Sequence, residues 1–403
     1  MALQSYPLLD GVTYSRASAA SYFGADGNLY NATSGTPRVD YNPVTRALRG
    51  LLVERGSTRL NTHLTANTTA GYINDGATLT PLSDNVLGQF PGVSVAGTGG
   101  TWNRQSTVPI AITSGLAYAF TAIVRPGTSG KVSVRARDSV GGTESTAHLT
   151  FGGVFSVVAT GAGTLTNLTE RTLADGVTRE ITGIWTPNFT GTGSVGVGPY
   201  STTVGEDVKF YALQVEQSPA PTSLILGDGA ATTRSADLLD VDLSTIGMVN
   251  PQAFTIFVDF EMEWRQAGGI FPRLFEISTP VAVQDRILVV LDPGSGALSV
   301  NMRSNDVLQF TATLATNTVI SHSGRITFAV AENDAAVSLN GGAPATGNSV
   351  SMATPYGRNV LRVGGSPDGS SIGRVWLRPS TDHTGLKLYP VRLDNATLQS
   401  MTA

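Results

Sequence analysis

Cysteine is absent from the 403-residue chain, which excludes disulfide bonds, thiolate metal sites and cysteine nucleophiles. Charged residues are scarce at 14% of the chain, and 26 basic against 30 acidic residues leave a net charge of −4. No basic block stands out, so we expect no nucleic-acid partner. No apolar run approaches the roughly 20 residues that a membrane-spanning helix needs, so we expect no membrane insertion.

The first residues, MALQSYPLLDGVTYSR, lack the basic start and the continuous apolar core of a signal peptide. We therefore expect synthesis in a cytoplasm. If the protein works outside a cell, we expect something other than a classical secretion signal to take it there.

The chain is rich in turn and strand formers, with 46 glycines, 20 prolines and many Val, Thr and Ile residues. This amino-acid composition is typical of short strands joined by turns. In KVSVRAR at 131–137, apolar residues alternate with polar ones, which predicts one buried and one solvated face. Only RLDNATLQSMTA at 392–403 reads as a helix, with Asp394 or Asn395 as its N-cap.

Three regions follow from these patterns. Residues 1–60 are turn-rich and too poor in apolar residues to bury a core, so we expect an extended arm that lies against another domain or subunit. Residues 61–226 and 227–403 each carry a series of strand-like runs at the spacing of an antiparallel sandwich. The predicted fold is all-β: an N-terminal arm followed by two antiparallel β-sandwich domains.

The stretch YALQVEQSPAPTSLILGDGAATTRSAD at 211–237 gathers Glu216, Asp228, Arg234 and Asp237, and could be a joint or a catalytic site. Its first residues read as a closing strand with Tyr211, Leu213 and Val215 on one face, and its prolines then leave the sheet. We interpret the stretch as a joint, with Arg234 and Asp237 fixing the start of the last sandwich through polar contacts.

Three stretches resemble surface proteins of bacteriophage and prophage virions, of the tail-fibre or head-spike kind. They are SRASAASYFGADGNLYNATSGTPRVDYNPVTRALRGLLVERGSTRLN at 15–61, the stretch at 211–237, and GRVWLRPS followed by LKLYPVRLDNATLQSMTA at the C-terminus. The region 61–226 also resembles a carbohydrate-binding-module jelly roll, and the last region a concanavalin-like (laminin-G-like) one. LADGVTREITGIWTP at 173–187 departs from that pattern, because Val177 and Thr178 stand where an aromatic pair is common.

The resemblance implies a non-enzymatic protein of the virion surface, made in the host cytoplasm, that attaches to a host surface polysaccharide. The arm would dock to other virion proteins, and the protein would form a homo-oligomer, with a trimer favoured. The alternatives are a structural capsid-decorating or connector protein that binds no glycan, and a capsule depolymerase.

Sugar recognition needs exposed aromatic faces flanked by planar hydrogen-bonding groups. Three stretches offer this combination, with the candidates Trp102, Asn103, Arg104, Tyr200, Tyr356 and Arg358. For each of them, packing or subunit contact is the alternative. By contrast Trp185, Phe210, Tyr211 and Trp376 lie within apolar runs, which predicts core positions.

The sequence patterns that favour catalysis or metal binding are weaker than those that favour sugar binding. Glu261 and Glu263, spaced i, i+2, would share one strand face as a pair of glycosidase acids can, but the same alternation fits a solvated face. Asp26 and Asn28 have the hardness of calcium ligands, although GADGN also specifies a hairpin turn. The four histidines form no metal motif. We expect no catalytic residue, no metal site and no cofactor.

Overall fold

The computed structural model describes residues 12–66, 70–100, 103–248, 251–263, 271–279, 284–292, 295–316, 321–353, 357–366, 374–379 and 385–403. In these ranges the chain forms 32 strands and one helix, so the all-β prediction is confirmed. No helix in the described ranges is long and apolar enough to cross a membrane.

The first six strands lie in the segment predicted to be an arm: β1 (Val12–Ser15), β2 (Ala20–Phe23), β3 (Leu29–Ala32), β4 (Arg38–Tyr41), β5 (Leu48–Glu54) and β6 (Ser57–Arg59). The middle region contributes β7 (Tyr72–Asp75), β8 (Thr78–Val86), β9 (Phe90–Ala96), β10 (Arg104–Thr107), β11 (Ile110–Ile112), β12 (Tyr118–Pro126), β13 (Lys131–Asp138), β14 (Glu144–Thr150), β15 (Phe155–Thr160), β16 (Thr164–Thr172), β17 (Arg179–Thr186), β18 (Gly191–Pro199) and β19 (Asp207–Gln217).

The last region contributes β20 (Thr232–Arg234), β21 (Leu238–Asp242), β22 (Phe254–Glu263), β23 (Arg273–Ser278), β24 (Arg286–Leu291), β25 (Ala297–Ser304), β26 (Val307–Thr316), β27 (Ser321–Ala331), β28 (Asp334–Leu339), β29 (Ala345–Gly347), β30 (Val360–Val363), β31 (Arg374–Leu377), β32 (Leu386–Tyr389) and the helix α1 (Asn395–Thr402). Asp394 caps the helix, because its carboxylate accepts the backbone N–H of Thr397 at 2.9 Å, as the sequence predicted.

The middle sandwich consists of a front sheet and a back sheet. The front sheet runs β15-β14-β13-β18-β10-β7, with β11 also paired to β18. The back sheet runs β16-β17-β12-β19-β6-β20, with β9 on β19 and β8 on β9. Trp185 and Phe210 are fully buried in the core between them, as predicted.

The last sandwich has the strand orders β1-β21-β30-β23-β24-β25-β26 and β29-β28-β27-β22-β31-β5-β4, with β32 on β22. A large apolar cluster of residues from both sheets forms its core. Trp376 is fully buried, as predicted, and its indole N–H donates to the Asp40 carboxylate at 2.8 Å.

The segment predicted to be an extended arm is built into both sandwiches over its described residues. β1 pairs with β21 and β5 pairs with β31, so both complete sheets of the last sandwich. β6 pairs with β19 of the middle sandwich and with β20. The hairpin β2–β3 places Phe23 and Leu29 in a third apolar cluster together with Tyr211 of β19. The segment therefore fills the junction between the two sandwiches.

Contrary to the prediction from the sequence, Tyr211 does not share a strand face with Leu213 and Val215. Leu213 and Val215 face the core of the middle sandwich, but Tyr211 packs in the cluster on the other side of the back sheet. The register of β12 against β19 shifts between Ile123 and Val124, which is a β-bulge and reverses the alternation at this point.

The stretch 211–237 leads from β19 of the middle sandwich towards β21 of the last one, and its residues Thr232–Arg234 form β20, which still pairs with β6 in the back sheet of the middle sandwich. The Asp237 carboxylate accepts hydrogen bonds from Arg16 at 3.0 Å, from Arg38 and from the Glu54 backbone N–H at 2.9 Å. Arg234 lies 3.4 Å from the Glu54 carboxylate. All five of these side chains are buried, so the start of the last sandwich is fixed by charge pairs in the interior.

Candidate functional site

The outer face of the front sheet, which points away from the core, brings Arg104 and Tyr200 close together. In β18, Gly198 lies opposite Ser133 of β13, and Ser133 in turn lies opposite His148 of β14. On the other side of β18, a Cβ added to Gly198 would lie 2.9 Å from the Cα of Arg104. Tyr200 directly follows the end of β18 and therefore lies at the edge of this row.

The side chains of this row form one contact group. The Tyr200 ring stacks on the His148 imidazole, with ring centroids 3.5 Å apart and an interplanar angle of 22°. The Lys131 Nζ lies 5.6 Å from the centre of the Tyr200 ring, within the range of a cation–π contact. Arg104 Nη1 donates to Ser133 Oγ at 3.2 Å. We call these five residues the Tyr200 face.

The exposed and buried members of the Tyr200 face differ in what they can do. Arg104 and Ser133 are fully buried and form its floor. Tyr200 and His148 are half-buried, and Lys131 is exposed. A ligand would therefore touch the aromatic pair and the lysine, while Arg104 acts on it through its charge.

Two glycines of β18 allow β10 to approach this closely. A Cβ at Gly196 would lie 2.1 Å from Ser106 Oγ, and one at Gly198 would lie 2.0 Å from the Asn103 backbone oxygen. Both distances are far below van der Waals contact, so any larger residue would push β10 away. Gly196 and Gly198 thus serve the close packing of β18 against β10.

Positive charge dominates the electrostatics of the Tyr200 face. Burial, together with the positive charges of Arg104 and Lys131, lowers the pKa of His148 from 6.5 to about 4. Burial and the neighbouring Arg135 lower the pKa of Arg104 to about 9, which leaves its guanidinium charged at neutral pH. His148 is therefore a neutral imidazole at pH 7 that can donate or accept a hydrogen bond.

The acids on this face are engaged by other arginines. Arg135 contacts the carboxylates of both Asp75 and Glu144. Arg137 lies 3.7 Å from Asp75 and 3.9 Å from Glu144. The charge of Asp75 also raises the pKa of Arg104, against the larger lowering by burial and by Arg135. The two acids therefore offset Arg135, Arg137 and part of the Arg104 charge, rather than Lys131.

The other sugar-binding candidates have different positions. Asn103 is buried, and its side-chain amide contacts Thr98 and the Gly76 backbone oxygen, which holds the start of β10. Arg358 is fully buried in the last sandwich and donates to the Arg303 backbone oxygen at 3.1 Å. Neither side chain is exposed as the sequence had suggested. Trp102 and Tyr356 lie outside the described residues.

Sequence reasoning missed His148, Lys131 and Ser133. Ser133 and Arg135 lie on the face of KVSVRAR at 131–137 that the sequence predicts to be solvated, and the alternation of this strand is seen in the structure. Both residues are nevertheless buried, so the predicted solvated face is not exposed at these two positions. The register that places His148 beside Tyr200 depends on two strand pairings, β14 with β13 and β13 with β18, which the local sequence pattern does not specify.

Glu261 and Glu263 share one strand face, yet both are held by Arg49. Its guanidinium lies 3.1 Å from one oxygen of Glu261 through Nε and 2.6 Å from Glu263 through Nη2. Although burial would raise it, the charges of Arg49, Arg374 and Arg171 lower the pKa of Glu263 to about 2. A general acid of a glycosidase needs a raised pKa, so this environment is that of an ion pair.

GADGN forms the turn of the β2–β3 hairpin. Asp26 accepts hydrogen bonds from the backbone N–H of Asn28 at 3.0 Å, from the Asn28 amide at 2.9 Å and from the Tyr30 hydroxyl at 2.7 Å. Gly27 has φ +83°, a left-handed conformation that glycine favours. Among the described residues no group of three or more histidines or acids has the arrangement of a metal site.

Comparisons with known proteins give only distant structural likenesses. No protein-family model and no curated protein matches the chain. Among solved structures, the CBM40 domain of the Ruminococcus gnavus IT-sialidase is 15% identical and covers 38% of this chain and 84% of its own, with a TM-score of 0.29. The tandem CBM22 domains of Paenibacillus barcinonensis Xyn10C are 9% identical, covering 81% and 99%, with a TM-score of 0.27. Domains LG4-5 of the mouse laminin alpha1 chain are 13% identical, covering 82% and 92%, with a TM-score of 0.22.

Proposed function

We propose that this protein is a non-enzymatic attachment protein of a bacteriophage virion surface, and that it binds a host cell-surface polysaccharide through the Tyr200 face. The observation that carries the proposal is the half-buried Tyr200–His148 stack beside the exposed Lys131. Aromatic faces stack on the C–H face of a pyranose, and the amine and imidazole nitrogens suit its hydroxyls.

The virion setting of the proposal is supported by the resemblance at 15–61, at 211–237 and at the C-terminus. In this setting the protein is made in the host cytoplasm and is displayed in several copies, with a trimer favoured. A single weak sugar contact becomes useful in that form, since linked copies raise the overall avidity by factors of about 10²–10⁴.

The environment of the acids supports binding over hydrolysis. Glu261 and Glu263 share the guanidinium of Arg49, and the acids Asp75 and Glu144 near the Tyr200 face are paired with Arg135. A glycosidase requires two carboxylates of different pKa facing one cleft.

A structural connector without glycan binding is the second candidate. The buried charge pairs of Arg38 with Glu54 and Asp237 favour it, because they tie the N-terminal segment to the start of the last sandwich. Such a joint suits a part that transmits force or spaces other proteins, whether or not it binds a sugar.

Replacing Tyr200 separates the two candidates. We expect Tyr200→Ala to lose roughly two- to tenfold in affinity on a glycan array, and to lower the adsorption of particles to host cells, because stacking on one aromatic ring is worth about 0.5–1.5 kcal/mol. Tyr30→Ala is the matched control, since Tyr30 is an exposed tyrosine of the β2–β3 hairpin, 44% accessible.

Normal adsorption by particles that lack the protein, together with no binding on the array, would leave the connector as the function. Release of oligosaccharide from the bound polysaccharide, abolished by Glu261→Gln or Glu263→Gln, would instead indicate a depolymerase. Immunogold labelling of intact particles tests the virion position directly.

A further inference from the structure

Positive charge exceeds negative charge around the Tyr200 face. Two cations, Lys131 and Arg104, lie close enough to His148 to lower its pKa, and no carboxylate of the described residues acts on that imidazole. The nearest acids along the strands, Asp75 and Glu144, contact Arg135. These contacts leave the aromatic pair in a positive field, in a chain whose net charge is −4.

The loop after Tyr200 does not cancel this field. Glu206 is the acid of that loop, and its carboxylate accepts a hydrogen bond from the hydroxyl of Ser201. Asp207, the next residue, is bound by Ser94 at 2.6 Å and by the backbone N–H of Thr128 at 2.8 Å. These donors are neutral and leave both carboxylates charged, but neither acid is among the charges that act on His148.

We propose that the glycan unit bound at the Tyr200 face is anionic, carrying a carboxylate or a phosphate that Lys131 contacts directly and Arg104 attracts from below. The inference rests on the proposed function, because it names the sugar class of the same site. Both cations act on His148 at the centre of the face, so an anion bound there gains attraction from both of them, and a neutral sugar gains none.

The geometry also defines how such a unit is held. Its ring stacks beside Tyr200, and the charged substituent reaches the Lys131 amine, which lies on a flexible stem 5.6 Å from the centre of the aromatic ring. An ammonium bound to a carboxylate or phosphate forms a charge-assisted hydrogen bond, which is about twice as strong as a neutral one. His148, as a neutral imidazole, adds a hydrogen bond to a hydroxyl.

Paired glycans on one array test the inference: galacturonate against galactose oligomers, sialyllactose against lactose, and mannose 6-phosphate against mannose oligomers. We expect at least one anionic member to bind roughly tenfold more tightly than its neutral counterpart, and which pair responds separates carboxylate from phosphate. The preference should shrink between about 0.02 M and about 0.5 M salt, since salt screens exposed charges.

The variant Lys131→Met keeps the length of the side chain and removes its charge. We expect it to lose the preference for the anionic member, Lys131→Arg to retain most of it, and Lys387→Met on the last sandwich to change nothing. As a second readout, the anionic ligand should raise the pKa of His148, measured by NMR, because a nearby negative charge favours the imidazolium. A neutral ligand would not raise it.

Three results would overturn the inference. Equal or tighter binding of the neutral members, still dependent on Tyr200, would refute the anionic ligand and keep the proposed function. Binding of anionic members that is unchanged in both Lys131→Met and Tyr200→Ala would place the site elsewhere. Binding to no glycan of the array would contradict both the inference and the proposed function.

Discussion

Asp237 offers a direct test of what holds the joint together. Its carboxylate has four donors: Arg16 at 3.0 Å, Arg38, the Tyr14 hydroxyl at 2.5 Å and the Glu54 backbone N–H at 2.9 Å. Asp237→Asn keeps the shape of the side chain but removes its charge, and it turns one acceptor into a donor that faces a guanidinium. The substitution therefore leaves two arginines buried without their common counter-charge.

The expected cost follows from the burial of the cluster. Removing one partner of a buried ion pair costs about 3–5 kcal/mol, and two arginines share this carboxylate, so we expect about 4–5 kcal/mol. For a cooperative unit of 150–250 residues each kcal/mol lowers the Tm by about 2–4 °C, which gives a decrease of roughly 8–20 °C.

Urea unfolding followed by tryptophan fluorescence measures this loss, because Trp185 is buried in the middle sandwich and Trp376 in the last one. Asp334→Asn is the matched control: Asp334 is 54% exposed and pairs with Arg392 at 2.7 Å, so its loss should cost about 0–1 kcal/mol. If Asp237→Asn costs no more than this control, the buried charges do not hold the joint, and apolar packing alone does.

Two further predictions concern the Tyr200 face. The first is that His148 should titrate by NMR near pH 4 instead of 6.5. Because its pKa is lowered in the fold, its contribution to stability is present above about pH 6.5 and is lost as the pH falls towards 4. An ordinary titration near pH 6.5 would contradict the burial and the positive field assigned to His148. The second is that Gly198→Ala should lower the free energy of unfolding by about 1–3 kcal/mol and abolish glycan binding, because the added Cβ would collide with the Asn103 backbone oxygen. Gly97→Ala is the control and should be tolerated, since no atom lies nearer than 3.5 Å to its added Cβ. Full glycan binding by Gly198→Ala would show that β10 need not lie this close to β18.

Features that depend on short stretches of sequence were predictable. The strand character of the chain, the buried positions of Trp185 and Trp376 and the cap of α1 by Asp394 follow from periodicity and from capping chemistry. The end of β19 at Gln217 was also predictable, since the prolines that follow cannot remain in a central strand.

Features that depend on distant pairing were not predictable. Val12 of β1 pairs with Val241, and Leu51 of β5 pairs with Leu377, so the partners of the N-terminal strands lie hundreds of residues away. A short apolar run such as LRGLLVE reads the same whether it lies on a separate arm or completes a sheet. The Tyr200 face has the same origin, because its members come from four strand segments whose register is set by the whole front sheet.

If the protein is the virion attachment protein proposed above, the placement of the N-terminal segment limits how it docks to a particle. Four strands of this segment pair within the sheets of the two sandwiches, namely β1, β4, β5 and β6. Releasing them to bind a partner would break the strand pairing of both sandwiches. The described surface that stays exposed in this segment lies in its turns, such as 33–36 and 44–48, and at single strand positions such as Thr13 and Tyr30. We infer that a docking partner which uses this segment contacts these exposed positions and leaves the joint intact. Substitutions at these positions and on the Tyr200 face would then alter particle attachment and glycan binding independently.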